Sequence, residues 1–177
     1  MSATIIIIFL IFVPILLPLF YLFRGVTNRT VQLIIDRATT LEGNEYYHFK
    51  KVPVSYWLRS GNKHYPSINN IGEVFVFNDF ILILRKQRFL ISHWLKPLVV
   101  SHRNLTNALG NSIENYFPKT FSYWEQQRKE VQIHLADRKY SHISVVLTLK
   151  ELTSEQINNL KSFEKRITPI DLTSTNR

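Results

Sequence analysis

The amino-acid sequence predicts an α+β protein that is mainly β. In this prediction one N-terminal transmembrane helix precedes a β-barrel or antiparallel sheet, and an amphipathic helix ends the fold. Three observations support it. Residues 3–23 contain no charged side chain. Several runs of β-branched and aromatic residues follow, separated by turn residues. Near the C-terminus a capping motif begins a stretch with helical periodicity.

The uncharged stretch, Ala3 to Phe23, consists mostly of Ile, Leu, Phe and Val. As a helix it would be about 30 Å long, which matches the hydrocarbon core of a bilayer. Pro14 and Pro18 would break a soluble helix but are tolerated in a membrane span. A cleaved signal peptide would need a basic start, a shorter apolar run and a small-residue cleavage site, and the stretch has none of these. We therefore predict a retained membrane anchor.

Charge predicts the orientation of the anchor and the class of partner. The chain has 22 Lys and Arg against 13 Asp and Glu, a net charge of +9. Arg24, Arg29 and Arg37 follow the apolar stretch and no basic side chain precedes it, so the positive-inside rule predicts a single-pass protein with a cytoplasmic domain. A basic domain next to a bilayer favours anionic lipid over nucleic acid. Because cysteine is absent, disulfides and thiol chemistry are excluded.

The chain divides into four parts. After the transmembrane helix, residues 24–45 form a juxtamembrane linker, 46–167 the folded domain and 168–177 a flexible tail. Within the linker, Val31–Asp36 fits either a first strand or the end of a linker helix. Tyr46–Leu58 opens the domain with a β-rich run that contains Pro53, which is typical of an edge or a bend.

Two β-hairpins form the centre of the predicted domain. In the first, Glu73–Phe77 and Phe80–Leu84 flank the turn residues Asn78-Asp79. In the second, Val131–Leu135 and His142–Leu149 flank a polar turn. The uncharged part of the first hairpin is too short to span a membrane, so we predict that it lies in the barrel core.

The segment between the hairpins is less regular. Arg88–Ser92 and Leu98–Val100 are predicted strands. Asn104–Phe117 has rough helical spacing that Gly110 interrupts, and Pro118 is expected to end any element formed there. The order of strands around residues 106–130 is therefore left open.

The last element is the most clearly marked. Thr153 and Gln156 fit a capping box, and Glu155 suits the first turn of a helix. Apolar residues then recur on one helical face, and Pro169 ends the pattern. The residues on that face are Ile157, Leu160, Phe163 and Ile167.

The strand meander, the two hairpins and the single C-terminal helix resemble the pleckstrin-homology-like (PH-like) family. The pieces that carry the resemblance are "IGEVFVFNDFILIL" (Ile71–Leu84), "PLVVSHRNL" (Pro97–Leu105) and "ISVVLTLKELTSEQINNLKSFEKRI" (Ile143–Ile167). The resemblance implies a partly open barrel with a helix in one end. Residues 106–130 are longer than the family usually places between strands. Since members bind lipids, bind peptides or serve structural roles, the fold does not imply a function.

No catalytic or metal-binding pattern is found in the sequence. None of the six histidines forms a His-x-x-x-His or Glu-x-x-His pair. Glycine-rich phosphate loops and Gly-x-Ser-x-Gly elbows are also absent. We therefore expect no cofactor and no metal.

Two groups of residues are candidate binding sites. The first consists of basic residues in or beside predicted turns, where they could meet anionic lipid headgroups: Lys50, Lys51, Arg85, Lys86, Arg88, Arg138 and Lys139. The second consists of aromatic residues in the segment 115–129, where they could contact a partner protein: Tyr116, Phe117, Phe121, Tyr123 and Trp124.

The sequence thus predicts a membrane-anchored, non-enzymatic module that binds a partner protein or anionic lipid at the bilayer surface. The alternative is a membrane-associated enzyme that uses the aromatic region 115–129 as a pocket. A deep cavity that gathers histidines and carboxylates would favour the enzyme. A barrel filled with apolar side chains and edged by basic residues would favour the binding module.

Overall fold

The computed structural model describes residue 14 and residues 27–60, 63–65, 70–88, 92–126, 128–137 and 143–167. Within these ranges the chain is mainly β. The elements are α1 (Asn28–Glu42), β1 (Tyr47–Ser60), β2 (Lys63–Tyr65), β3 (Asn70–Val76), β4 (Phe80–Arg88), β5 (Ser92–Trp94), β6 (Leu98–Ser101), α2 (Thr106–Leu109), β7 (Glu114–Trp124), β8 (Glu130–Asp137), β9 (Ile143–Leu149) and α3 (Ser154–Ile167).

Seven of the described strands close into a barrel in the order β1-β3-β4-β6-β7-β8-β9, and β9 pairs with β1. Strand β2 pairs antiparallel with the end of β1, and β5 pairs with the end of β4. Neighbouring strands are antiparallel except for β6 and β7, which are parallel. Closure removes the free edges that β1 and β9 would otherwise expose.

Residues 74–76 of β3 and 80–84 of β4 are buried on both faces, which explains why this part of the hairpin is an almost continuous apolar run. Side chains alternate along a strand, so Val74 and Ile83 point into the barrel and pack in its interior cluster. Their neighbours Phe75 and Leu82 point outward and pack in a second, outer cluster beneath α1. The predicted first hairpin and its position in the core are confirmed.

Helix α1 covers the outer face of the barrel. Thr27 caps it, because its side-chain oxygen accepts a hydrogen bond from the Thr30 backbone N–H at 3.2 Å. Val31, Ile34 and Ala38 lie at helical spacing and are buried against the strands. Of the two interpretations left open for Val31–Asp36, the helix is therefore correct.

Helix α3 packs its apolar face against one end of the barrel interior. Ile157, Leu160 and Phe163 belong to the interior cluster. The predicted capping box is present: Thr153 N–H donates to Gln156 Oε1 at 2.8 Å, and Gln156 N–H donates to Thr153 Oγ1 at 3.2 Å.

The prediction for the middle of the chain was wrong in one respect. Pro118 does not end an element but lies within β7, where the pairing with β8 shifts register between Pro118 and Thr120. A β-bulge tolerates proline because the ladder hydrogen bond is already interrupted there. Of the helical pattern only the four-residue α2 forms, and the following Gly110 has a positive φ of 103°.

The predicted transmembrane helix, residues 3–23, and the predicted tail, 168–177, lie outside the described residues, apart from Pro14. Among the helices that the structure describes, none combines the length and apolarity that crossing a membrane requires.

Candidate functional site

The two ends of the barrel differ in chemistry. Helix α3 covers the end at which the β3–β4 turn lies. At the opposite end, inward-facing polar side chains gather on β1, β3, β4 and β7. We call this opposite end the polar end and define it by five residues: Tyr56, Asn70, Arg85, Glu114 and Tyr116.

Arg85 is the central residue of the polar end. It follows Ile81 and Ile83 at every second position of β4, so its side chain points into the barrel, and it is only 1% exposed. Its Nη2 donates to the backbone oxygen of Lys96 at 2.9 Å and to Glu114 Oε2 at 3.2 Å. The guanidinium carbon lies 4.4 Å from the centre of the Tyr56 ring, within the range of a cation–π interaction.

Two neighbours of Arg85, Glu114 and Tyr116, have raised pKa values because their surroundings disfavour the ionised form. Burial raises the pKa of Glu114 and outweighs the opposing effect of the Arg85 guanidinium. Burial, the Glu114 carboxylate and Asp137 together raise the pKa of the Tyr116 hydroxyl, so it stays protonated in the physiological range.

Several polar atoms of this cluster lack a hydrogen-bond partner among the described residues. They are Nε and Nη1 of Arg85 and both side-chain amide atoms of Asn70. Asn70 is 3% exposed and lies two residues before Gly72, which pairs with Arg85. Buried polar groups are nearly always hydrogen-bonded, so this end of the barrel has unused binding capacity.

The four predicted lipid-binding residues whose side chains the structure describes do not lie together. Arg85 is in the barrel interior, whereas Lys86 lies on the outer face with its Nζ 5.4 Å from the centre of the Trp94 ring. Lys50 and Lys51 are exposed on β1 beside a register shift, away from both ends. Strand β4 includes Arg88, whose side chain the structure does not describe. Arg138 and Lys139 lie outside the described residues.

The predicted partner-binding aromatic residues are distributed over both faces of β7. Tyr116 is buried in the interior, and Phe121 and Tyr123 pack against the interior cluster near α3. Phe117 lies outside and contacts His102 edge-on, with 4.5 Å between ring centres. Trp124 is exposed. These five side chains therefore do not form one continuous surface.

The groove that the described residues form at the end of β7 lacks the histidines and carboxylate cluster expected of an enzyme pocket. An open groove of about 430 Å³ lies at the end of β7, lined by Tyr123, Trp124, Glu125 and Gln126, with no histidine among them. Among the described residues, no three His, Asp or Glu side chains come together as metal ligands. Apolar side chains fill the barrel interior.

Sequence reasoning identified Arg85 but placed it at the surface, and it missed Asn70, Tyr56 and Glu114. The alternation Ile81, Ile83, Arg85 could have indicated an inward side chain once one face was assigned to the core. The other three residues come from distant parts of the chain, and only the closed barrel brings them together.

Comparisons with known proteins identify no relative. No protein-family model, no curated protein and no solved structure matches the chain. The functional argument therefore rests on geometry.

Proposed function

We propose that the protein is a single-pass, membrane-anchored, non-enzymatic module whose PH-like barrel binds anionic lipid headgroups at the cytoplasmic bilayer surface. The observation that carries the proposal is the hydrogen bond from Trp94 Nε1 to Asn28 Oδ1, at 2.7 Å. It joins β5, beside the polar end, to the first residue of α1.

This hydrogen bond bears on orientation because α1 begins soon after the predicted anchor. Four residues separate Phe23 from Asn28, so even an extended chain keeps the two within about 18 Å. A headgroup layer is about 5–7 Å thick on each side of the hydrocarbon core. An anchor at residues 3–23 thus holds the polar end close to the headgroups.

The two ends of α1 lie at opposite ends of the barrel, which supports the same orientation. At its far end, Glu42 accepts a hydrogen bond from Arg103 at 2.6 Å, and Arg103 also contacts Asp79 in the β3–β4 turn. The helix therefore runs from the polar end to the end covered by α3. In the proposed arrangement the polar end faces the bilayer and α3 faces away.

The basic side chains near the polar end then meet the headgroups. Lys86 lies beside Trp94, and Lys96 is exposed in the link between β5 and β6. Tryptophan is enriched at membrane interfaces. A lysine near an anionic surface contributes about 1 kcal/mol.

The test measures co-sedimentation of residues 25–177, which contain both core clusters, with lipid vesicles. We expect binding to vesicles that contain phosphatidylserine and little binding to pure phosphatidylcholine. Changing Lys86→Gln and Lys96→Gln together should weaken binding about 30-fold, since two contributions of about 1 kcal/mol are lost.

The matched control changes Lys50→Gln and Lys165→Gln, which removes the same charge at exposed positions elsewhere. It should bind nearly as well as the unchanged chain. Equal binding to neutral vesicles, or an equal loss in the control, would refute the proposal.

A further inference from the structure

We propose that the polar end is a binding site for a phosphate group, held by Arg85 and Asn70 inside the mouth of the barrel. The proposal deepens the proposed function. It rests on that function only if the phosphate belongs to a lipid headgroup. The site itself is argued from the interior of the barrel, independently of the surface lysines.

The first step is the charge of Arg85. A guanidinium does not lose its proton in a protein, so Arg85 brings a positive charge into the barrel interior. The described partners are one carboxylate contact, one backbone oxygen and the face of Tyr56. A buried charge is costly unless it is paired and hydrogen-bonded.

The second step is geometry. Glu114 contacts only Nη2, whereas Nε and Nη1 have no acceptor among the described residues. Asn70 lies on the adjacent strand, and its Nδ2 is also without an acceptor there. Three donor nitrogens without acceptors, one of them on a neighbouring strand, match the several acceptor oxygens and negative charge of a phosphate group.

The third step is access. The Glu114 side chain is 35% exposed while that of Arg85 is 2% exposed, so solvent reaches the carboxylate side of the ion pair and hardly reaches the guanidinium. A phosphate that reaches Arg85 approaches this carboxylate. Replacing Glu114 by Gln should therefore strengthen phosphate binding, a result that a purely structural Arg85–Glu114 pair does not predict.

The experiment uses the full chain in maltoside micelles, which contain no phosphate, and measures heats of binding at constant ionic strength. One arm titrates inorganic phosphate, and the other adds a short-chain phosphatidic acid. We expect saturable binding in at least one arm. Binding of phosphatidic acid alone would identify the headgroup as the source.

The decisive variant is Arg85→Met combined with Glu114→Gln, because removing both charges of a buried pair is better tolerated than removing one. It should weaken phosphate binding by about tenfold or more, as the loss of charged hydrogen bonds predicts. Asn70→Leu should weaken binding less and leaves the ion pair intact. Far-ultraviolet circular dichroism checks that each variant is folded.

The matched control is Lys165→Met, which removes a charge from an exposed residue of α3, at the opposite end of the barrel. It should leave inorganic phosphate binding unchanged. The proposal is overturned if neither arm shows saturable binding, or if Lys165→Met weakens phosphate binding as much as the Arg85 variant does. If the Arg85 variant keeps full affinity for phosphatidic acid while Lys86→Met loses it, the surface proposal stands and the interior site does not.

Discussion

Replacing Ile34 by alanine tests whether α1 is part of the folded barrel. Ile34 is 1% exposed and packs in the outer cluster. Truncating such a side chain leaves a cavity and typically costs about 2–5 kcal/mol of unfolding free energy. In a domain of this size, each kcal/mol lowers Tm by about 2–4 °C. A loss in the middle of the range should therefore lower Tm by about 10 °C.

The control is Leu33→Ala, one residue earlier on the same helix but 46% exposed. Exposed substitutions usually change stability by less than about 0.5 kcal/mol, so its Tm should change by at most about 2 °C. Thermal unfolding of residues 25–177, followed by circular dichroism, measures both. If Ile34→Ala has the same Tm as the unchanged chain, α1 is not packed on the barrel. The argument that orients the polar end toward the membrane then fails.

Three further predictions concern single sites. Thr153→Ala removes the side-chain acceptor for Gln156 N–H and should cost about 1 kcal/mol in urea unfolding; an unchanged midpoint would contradict the cap. Gly72→Ala would place a Cβ 2.7 Å from a backbone oxygen of β4, so it should destabilise by about 1–3 kcal/mol. Gly72 has no positive φ, so this loss measures the contact rather than backbone strain, and an unchanged urea midpoint would refute the packing argument. Because the pKa of Glu114 is raised, the folded state binds its proton more tightly, so the stability of the unchanged chain relative to Glu114→Gln should fall as pH rises from about 4.5 through the raised pKa. Chemical unfolding of both proteins across that range measures the difference, and a constant difference would contradict the raised pKa.

The hairpins could be predicted from sequence because their information is local. An apolar run, two turn residues and a second apolar run define β3 and β4 without reference to the rest of the chain. The C-terminal helix was equally predictable, since its cap and its apolar spacing lie within 15 residues. Both predictions were confirmed by the structure.

Strand β7 could not be recognised in the same way. It pairs in parallel with β6, and a parallel pair has no connecting turn to mark it. Gly110 and Pro118 are local indicators of a broken element, but Pro118 is accommodated at a bulge that depends on pairing with β8. Distant pairing thus outweighed the local rules in this segment.

The position of Arg85 shows the same limit for the site. A basic residue after an apolar run is normally taken as the point where a strand reaches solvent. Here the strand continues with Arg85 inside and Lys86 outside, so neighbouring basic residues lie in opposite environments. Which of the two faces the interior depends on the register, and the closed barrel fixes it.

The contrast between the two ends of the barrel indicates where binding free energy is available. The end covered by α3 is filled by apolar side chains, and its helix cap is reciprocally hydrogen-bonded. The polar end leaves Arg85 and Asn70 with unmet hydrogen bonds among the described residues, and each such group costs about 1–3 kcal/mol. Replacing a buried ion pair by apolar residues is often neutral or stabilising, so stability alone does not account for Arg85. A ligand that supplies the missing acceptors recovers this cost on binding, which makes the polar end the part of the described barrel where a phosphate group gains most.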